Sequence, residues 1–305
     1  MNSGDSALVQ NYYGSVFPVE TLYKFLYESP NREFSMTLQG NKYVRALSFD
    51  SPQKMRSMLI SKIPEKLDIG AVYSSAPAMG KEFHPIQKEL VFDVDLTDYK
   101  RNCCNGKKIC DLCFTLVKCS AKLMDYILTK IFGFKYILYV FSGGRGIHIW
   151  VCDEEARFLD DKERKGIINY VDFYNISNNE SSTTSFHKTI DDEILNILKE
   201  YQYFFGDQNM NIEVDTKALI EYLYVKIDKN VTSEMKHLLK SPFSIHPISR
   251  RISVPLNIDN IDSIKIADLP FLDDIMTDES KIVPYLNYFN DFCDNLLEKK
   301  QHKMQ

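Results

Sequence analysis

The sequence predicts a mixed α/β core that carries a helical insertion. Three observations lead there. Short apolar, β-branched runs at 89–96, 135–141 and 147–152 have the length of buried strands. Residues 112–132 place Leu116, Cys119, Leu123, Ile127 and Ile131 at helical spacing, closed by Gly133. Residues 153–222 are first charged, then polar, then helical, unlike the segments on either side. The expected division is therefore a core of 1–152 and 223–305 with an insertion at 153–222.

The elements follow in chain order. A first helix is expected over 17–28, where Pro18 suits an early position and Phe17, Leu22, Phe25 and Leu26 form one stripe. Residues 33–38 and 42–49 alternate as strands around Gln39-Gly40-Asn41, a β-hairpin. Strands at 68–73 and 89–96 precede the long helix, and a glycine-rich turn separates 135–141 from 147–152. Inside the insertion, 175–184 reads as a flexible polar loop and 188–205 as helical. Strand character returns at 224–228 and 251–255, with a short helix expected from about Ser233 to Leu239. Leu286, Phe289, Phe292, Cys293, Leu296 and Leu297 mark a last amphipathic helix before a charged tail.

The 305 residues are 44% hydrophobic and 26% charged, the composition of an ordinary globular protein. A net charge of −5 gives no general affinity for nucleic acid, so any such contact needs a local patch or a partner. No signal peptide is visible, and no apolar run approaches the roughly 20 residues that span a bilayer. Seven cysteines without a secretory signal point to reduced thiols or metal ligands. The expectation is an intracellular protein, in which the Asn-x-Ser/Thr sequences at Asn175, Asn179 and Asn230 carry no glycan.

Asp93 and Asp95 occupy the inner end of an apolar strand. Residues i and i+2 share a strand face about 6.5–7 Å apart, so two poorly solvated carboxylates would repel unless a cation sat between them. Hard divalent ions take such oxygens and keep positions open for phosphates. An Asp-x-Asp turn at a strand exit is the bland alternative. Asp228 ends another apolar stretch and is a candidate third carboxylate; Glu213 and Asp215 form a rival pair.

Cys103, Cys104, Cys110 and Cys113 lie within eleven residues, a spacing that suits a closed tetrahedral zinc site. Adjacent Cys103 and Cys104 can both bind only if the backbone turns sharply there. Thiols that merely pack are the alternative, and Cys119 reads as a core thiol. Ser142-Gly-Gly-Arg-Gly-Ile-His148 combines amides free to point at an anion with three side-chain donors, Ser142, Arg145 and His148. It lacks the P-loop ending, and a plain hairpin would also satisfy it. Lys240 and His246 flank a second, proline-constrained turn.

Together these pieces resemble the catalytic small subunit of the archaeal and eukaryotic-type DNA primases, the eukaryotic branch most closely. The resemblance rests on Arg32-Glu-Phe-Ser-Met-Thr-Leu, Lys88-Glu-Leu-Val-Phe-Asp-Val-Asp-Leu, Cys-Cys-x5-Cys-x2-Cys, Ser-Gly-Gly-Arg-Gly-x-His and His237-Leu-Leu-Lys-Ser-Pro-Phe-Ser-Ile-His-Pro. It implies a primase fold, a mixed β-sheet flanked by helices with a zinc-binding loop at 103–113. It implies that Asp93, Asp95 and Asp228 hold two Mg2+ or Mn2+ ions, and that the cysteines hold structural Zn2+. Ser142, Arg145, His148, Lys240 and His246 would grip a ribonucleoside triphosphate, with Glu33, Arg45, Asp68 and Asn230 near it. The implied activity is synthesis of RNA primers on a single-stranded DNA template. The implied partners are a primase large subunit and the replicative DNA polymerase alpha complex, in the nucleus if the source is eukaryotic. Gly144 departs from the Arg that many eukaryotic members carry there, and the insertion is short.

Three other functions compete with this reading. They are another primase-polymerase of the same superfamily, a silent zinc-containing nucleic-acid scaffold, and a metal-dependent nuclease. The cysteine insertion disfavours the first, and the acidic triad beside a basic pocket disfavours the second. A nuclease has no need of Lys240 and His246.

Overall fold

The apolar runs become strands of two sheets in the computed structural model, which describes residues 3–27, 29–77, 83–172, 190–205 and 215–303. β1 (Arg32–Leu38) and β2 (Lys42–Leu47) form the expected hairpin. It reverses at Gly40 and Asn41, both in the left-handed region (φ 74° and 60°) that these two residue types reach most readily. β3 (Lys66–Tyr73) pairs with β1 along one edge. Its other edge takes β4 (Pro85–Gln87) and, nearer its start, β8 (Leu239–Lys240). The second sheet runs in the order β5 (Leu90–Asp95), β7 (Gly146–Val151), β6 (Ile137–Phe141), β9 (Pro255–Leu256). The α/β class holds, and every described pairing is antiparallel.

Helices cover these sheets. α1 (Ser3–Asn11), α2 (Val19–Phe25) and α3 (Pro52–Lys62) lie toward the start of the chain. α4 (Asp111–Tyr126) continues into a wide π-type turn, Ile127–Ile131, and buries Leu116, Cys119, Leu123 and Ile127 as its spacing requires. α5 (Glu154–Arg157), α6 (Asp161–Val171), α7 (Asp192–Glu200) and α8 (Thr216–Leu223) follow. α9 (Lys229–Ser233), α10 (Leu272–Thr277) and α11 (Val283–Lys303) complete the order. Ile194 and Leu198 of α7 and Leu219 and Leu223 of α8 join one continuous apolar core with both sheets. Trp150 packs edge-on against Phe25 in that core, ring centres 6.0 Å apart.

Three expectations need correction. Residues 224–228 form no strand: the Lys226 N–H goes to the Tyr99 hydroxyl (2.8 Å) and the Asp228 N–H to the Asp93 carbonyl (2.9 Å). The helix expected from Ser233 to Leu239 lies earlier, as α9, because the Asp228 side chain caps the Asn230 N–H (2.9 Å) and starts it there. Within 251–255, Arg251 and Ile252 make only isolated bridges, to Phe271 and Ile245, and regular pairing begins at Pro255. The polar loop 175–184, the first residues of the 188–205 stretch, and Glu213 lie outside the described residues.

A buried ionic cluster supports the region beneath β5. Glu89, fully enclosed, takes two bonds from Arg32 (2.7 and 2.9 Å) and an ion pair from Arg157 (3.2 Å). Arg164 donates to the carbonyls of Lys88 (2.6 Å) and Glu89 (3.2 Å). Lys88 sends its ammonium to the carbonyls of His237 (2.6 Å), Val231 and Glu234 (both 3.5 Å), which ties the segment after α9 to the root of β5.

Candidate active site

Strand alternation sends Phe92 and Val94 into the core and turns Asp93 and Asp95 toward the opposite face. Across the ladder, Asp93 stands opposite His148 and Asp95 opposite Gly146. Gly146 is required there, since a Cβ would lie 2.0 Å from the Val94 carbonyl oxygen. The hydrogen bond from the Asp228 N–H to the Asp93 carbonyl brings the third carboxylate alongside from a segment 135 positions away in the chain (228 less 93). All three line one cleft of about 390 Å³.

The glycine turn forms the neighbouring wall. The Ser142 hydroxyl accepts from the N–H groups of Gly144 (3.3 Å) and Gly146 (3.1 Å), and Gly143 adopts φ 77°. Lys240, brought in by pairing with Asp68 across β8 and β3, donates to the Ser142 carbonyl. Arg145 forks onto Asp95, Nε to Oδ1 at 2.7 Å and Nη2 to Oδ2 at 3.4 Å. His148 Nε2 stands 3.6 Å from Asp93 Oδ1.

Electrostatics distinguish the two paired carboxylates. Burial, then Asp95, pushes Asp93 up to about 7, against the pull of Lys240. Burial would raise Asp95 too, but Arg145 and Thr97 hold it below the ordinary carboxylate range. Burial lowers Lys240 to about 8. Burial also lowers His246 to about 4, with Lys240 and Arg145 adding to the effect, and puts His148 well below 6.5. Neutral His246 accepts the Ser249 N–H at Nδ1 (3.1 Å), so its hydrogen sits on Nε2 as a donor.

The donor set fits a hard divalent ion: three carboxylates line one cleft, and burial, then Asp95, raises Asp93 to about 7, a penalty that a bound cation would relieve. Cys103, Cys104, Cys110 and Cys113 fit a soft one. Their sulfur atoms all lie within 4.8 Å of one another. The backbone does bend at Asn102–Cys103, which lets both adjacent thiols turn to the same centre.

The expected site residues Ser142, Arg145, His148, Lys240, His246 and Asp68 share the cleft with the triad. Glu33, Arg45 and Asn230 lie outside its lining. Buried Glu33 accepts from Arg45 (2.7 Å) and the Tyr73 hydroxyl (2.9 Å), while Arg45 also holds the Lys236 carbonyl (2.8 Å). Asn230 contributes its N–H to Asp228. Sequence reasoning missed Lys66, Lys107, His237 and Ser249, all of which line the cleft. His237 opens one of the motifs quoted above and Lys107 lies between the cysteine pairs, but neither is assigned to the cleft by its sequence position.

The model of the DNA primase small subunit family matches residues 92–258, which includes the triad and both donor turns. The chain is 30% identical to the DNA primase small subunit of Schizosaccharomyces pombe, over 91% of this chain and 78% of the relative. It is 27% identical to that of Saccharomyces cerevisiae, over 98% and 94%, and 28% identical to that of Drosophila melanogaster, over 96% and 84%. On this evidence the chain belongs to the DNA primase small subunit family, in its eukaryotic form.

Proposed function

We propose that this chain makes RNA primers, joining ribonucleotides on single-stranded DNA as a DNA-directed RNA polymerase. The observation that carries the reading is the meeting of Asp93, Asp95 and Asp228 with Arg145, Lys240 and two neutral histidines in one cleft. Anionic ligands for metal and cationic or neutral donors for phosphate are what phosphoryl transfer needs side by side.

In this reading the three aspartates hold two Mg2+ or Mn2+ ions. When bound, these ions acidify the attacking 3′-hydroxyl and stabilise the departing pyrophosphate. Lys240 and the Nε2–H of His246 donate to the β and γ phosphates. Arg145 shares its fork between Asp95 and the triphosphate. The glycine turn, braced from within by the Ser142 hydroxyl, forms the wall against which the phosphates sit, so most of the catalytic effect is electrostatic positioning.

The cysteine group would hold a structural zinc ion, with no position left open for chemistry. A net charge of −5 leaves template binding to be shared with a large subunit and with the polymerase alpha complex, at work in the nucleus. Residues 153–222 would form a helical insertion on a core of 1–152 and 223–305. No helix among the described residues is long and apolar enough to cross a membrane.

The test is synthesis itself. Purified chain, labelled ribonucleotides, Mn2+ and a poly-pyrimidine template should yield labelled oligomers. Asp93→Ala should lower the yield by at least about 1000-fold, the equivalent of roughly 4 kcal/mol of transition-state stabilisation. Degraded template, or full synthesis by the variant, would refute the reading.

A further inference from the structure

Lys107 lies at the tip of the loop between the two cysteine pairs and lines the same cleft as Asp95, Arg145 and His246. The loop is fixed to that cleft. Its base is gathered by four sulfur atoms within 4.8 Å of one another. The carbonyl of Gly106, next to Lys107, accepts from Arg145 (3.4 Å) and from Arg101 (3.1 Å). The lysines and arginine already described in the cleft are engaged: Lys66 with Asp68, Arg145 with Asp95, Lys240 with the Ser142 carbonyl. Among the described residues Lys107 has no ion-pair or hydrogen-bond partner. Gly144, which lines the same cleft, offers no side chain there, and a Cβ at that position would stand 2.8 Å from His246 Nε2. Position 144 therefore supplies no cation in this chain.

We propose that Lys107 is a nucleotide-binding residue, reaching from the cysteine loop to the triphosphate of the incoming nucleotide on the side that Gly144 leaves open. The proposal rests on the reading of the cleft as a nucleotide site and deepens it. The same loop then has two tasks: its base binds metal, and its tip places a positive charge on substrate. Proximity to His246 selects the triphosphate over the nucleic-acid backbone. His246, whose protonation burial and then Lys240 and Arg145 oppose, also feels the Lys107 charge.

The experiment measures equilibrium binding of ATP with Mn2+ in the absence of template, and KM for ATP in primer synthesis. Lys107→Ala should weaken both by about 3- to 10-fold, as an exposed charge on a phosphate group does, with kcat little changed. Lys107→Arg should retain wild-type affinity, and Lys108→Ala, whose side chain does not line the cleft, should match wild type. The deficit should shrink at high salt. Zinc content measured on each variant shows that the loop is intact. An Ala variant with normal ATP affinity, one that loses only template affinity, or an Arg variant as weak as Ala with zinc retained would each overturn the proposal. A wild-type chain that binds no ATP would overturn the cleft reading and this proposal with it. Binding by wild type with Lys107→Ala unchanged would overturn the Lys107 assignment alone.

Discussion

Replacing Lys88 with methionine should change how stability depends on pH. The Lys88 ammonium is wholly enclosed, with three carbonyls as its hydrogen-bond acceptors. Burial, then Arg164, lowers its pKa from 10.5 to about 7. Unfolded, the same group releases its proton near 10.5, so between those values the unfolded chain binds the extra proton. Stability therefore rises with pH through this window; the penalty is fullest below pH 7 and gone above 10.5. At about 1.4 kcal/mol per pH unit the penalty is roughly 4–5 kcal/mol at neutral pH, and about 2 kcal/mol of it disappears between pH 7 and 9. Lys88→Met removes the titrating group while keeping most of the volume. Urea unfolding followed by fluorescence of Trp150, the single tryptophan, reports both proteins at each pH. Wild type should gain about 2 kcal/mol relative to the variant between pH 7 and 9. A difference that stays constant would show that enclosed Lys88 keeps its proton through pH 9 with its pKa not lowered, and would refute the reasoning.

Further predictions follow from the same geometry. Glu89→Gln leaves Arg32 and Arg157 enclosed without a countercharge and should cost about 3–5 kcal/mol in denaturant unfolding. Because Glu89 is held down to about 2, its contribution in wild type is full above its ordinary 4.5 and fades as the pH falls toward 2. Gly146→Ala, which pushes a Cβ into the Val94 carbonyl, should lower stability by more than about 3 kcal/mol, whereas Gly166→Ala in α6 meets nothing within 4 Å and should not destabilise. Ser249→Ala removes the hydroxyl that contacts His246 Nδ1 (3.0 Å) and donates to the Gly143 carbonyl, so KM for ATP should rise a few-fold with the fold unchanged by circular dichroism.

Local pattern was enough to read the pieces whose geometry is local. Asp93 and Asp95 share a face because strands alternate, the hairpin at Gly40 reverses where positive φ is easiest, and the four cysteines sit close in the chain. The misreadings come from partners far away in sequence. Tyr224, Val225 and Ile227 are apolar and buried like a strand, yet Tyr99 and Asp93 take the neighbouring N–H groups that a ladder would need. Ser51 and Pro52 announce α3 in the chain itself, the serine hydroxyl accepting the Lys54 N–H at 3.3 Å, but only Met55 and Leu59 are buried, too few to form a clear stripe.

The cleft was legible as a list of residue types but not as a set of partners. That Arg145 pairs with Asp95 follows from the β5–β7 register, which sets Asp95 opposite Gly146. Lys66 and Lys107 reach the cleft from two segments far apart in the chain, and the motif that holds Lys240 and His246 gives no sign that His237 joins them there. Lys88 opens one of the motifs, but nothing in the chain shows that the carbonyls of Val231, Glu234 and His237 close over it.

The most direct measurement is calorimetric titration of Mn2+ into the zinc-loaded chain in the presence of ATP, repeated for Asp93→Asn, Asp95→Asn and Asp228→Asn. If the three carboxylates hold the ions together, wild type should take up Mn2+ and each variant should bind it at least about tenfold more weakly, a loss of roughly 1.4 kcal/mol or more. Wild-type affinity in Asp228→Asn would show that the third carboxylate is no ligand and would contradict the account.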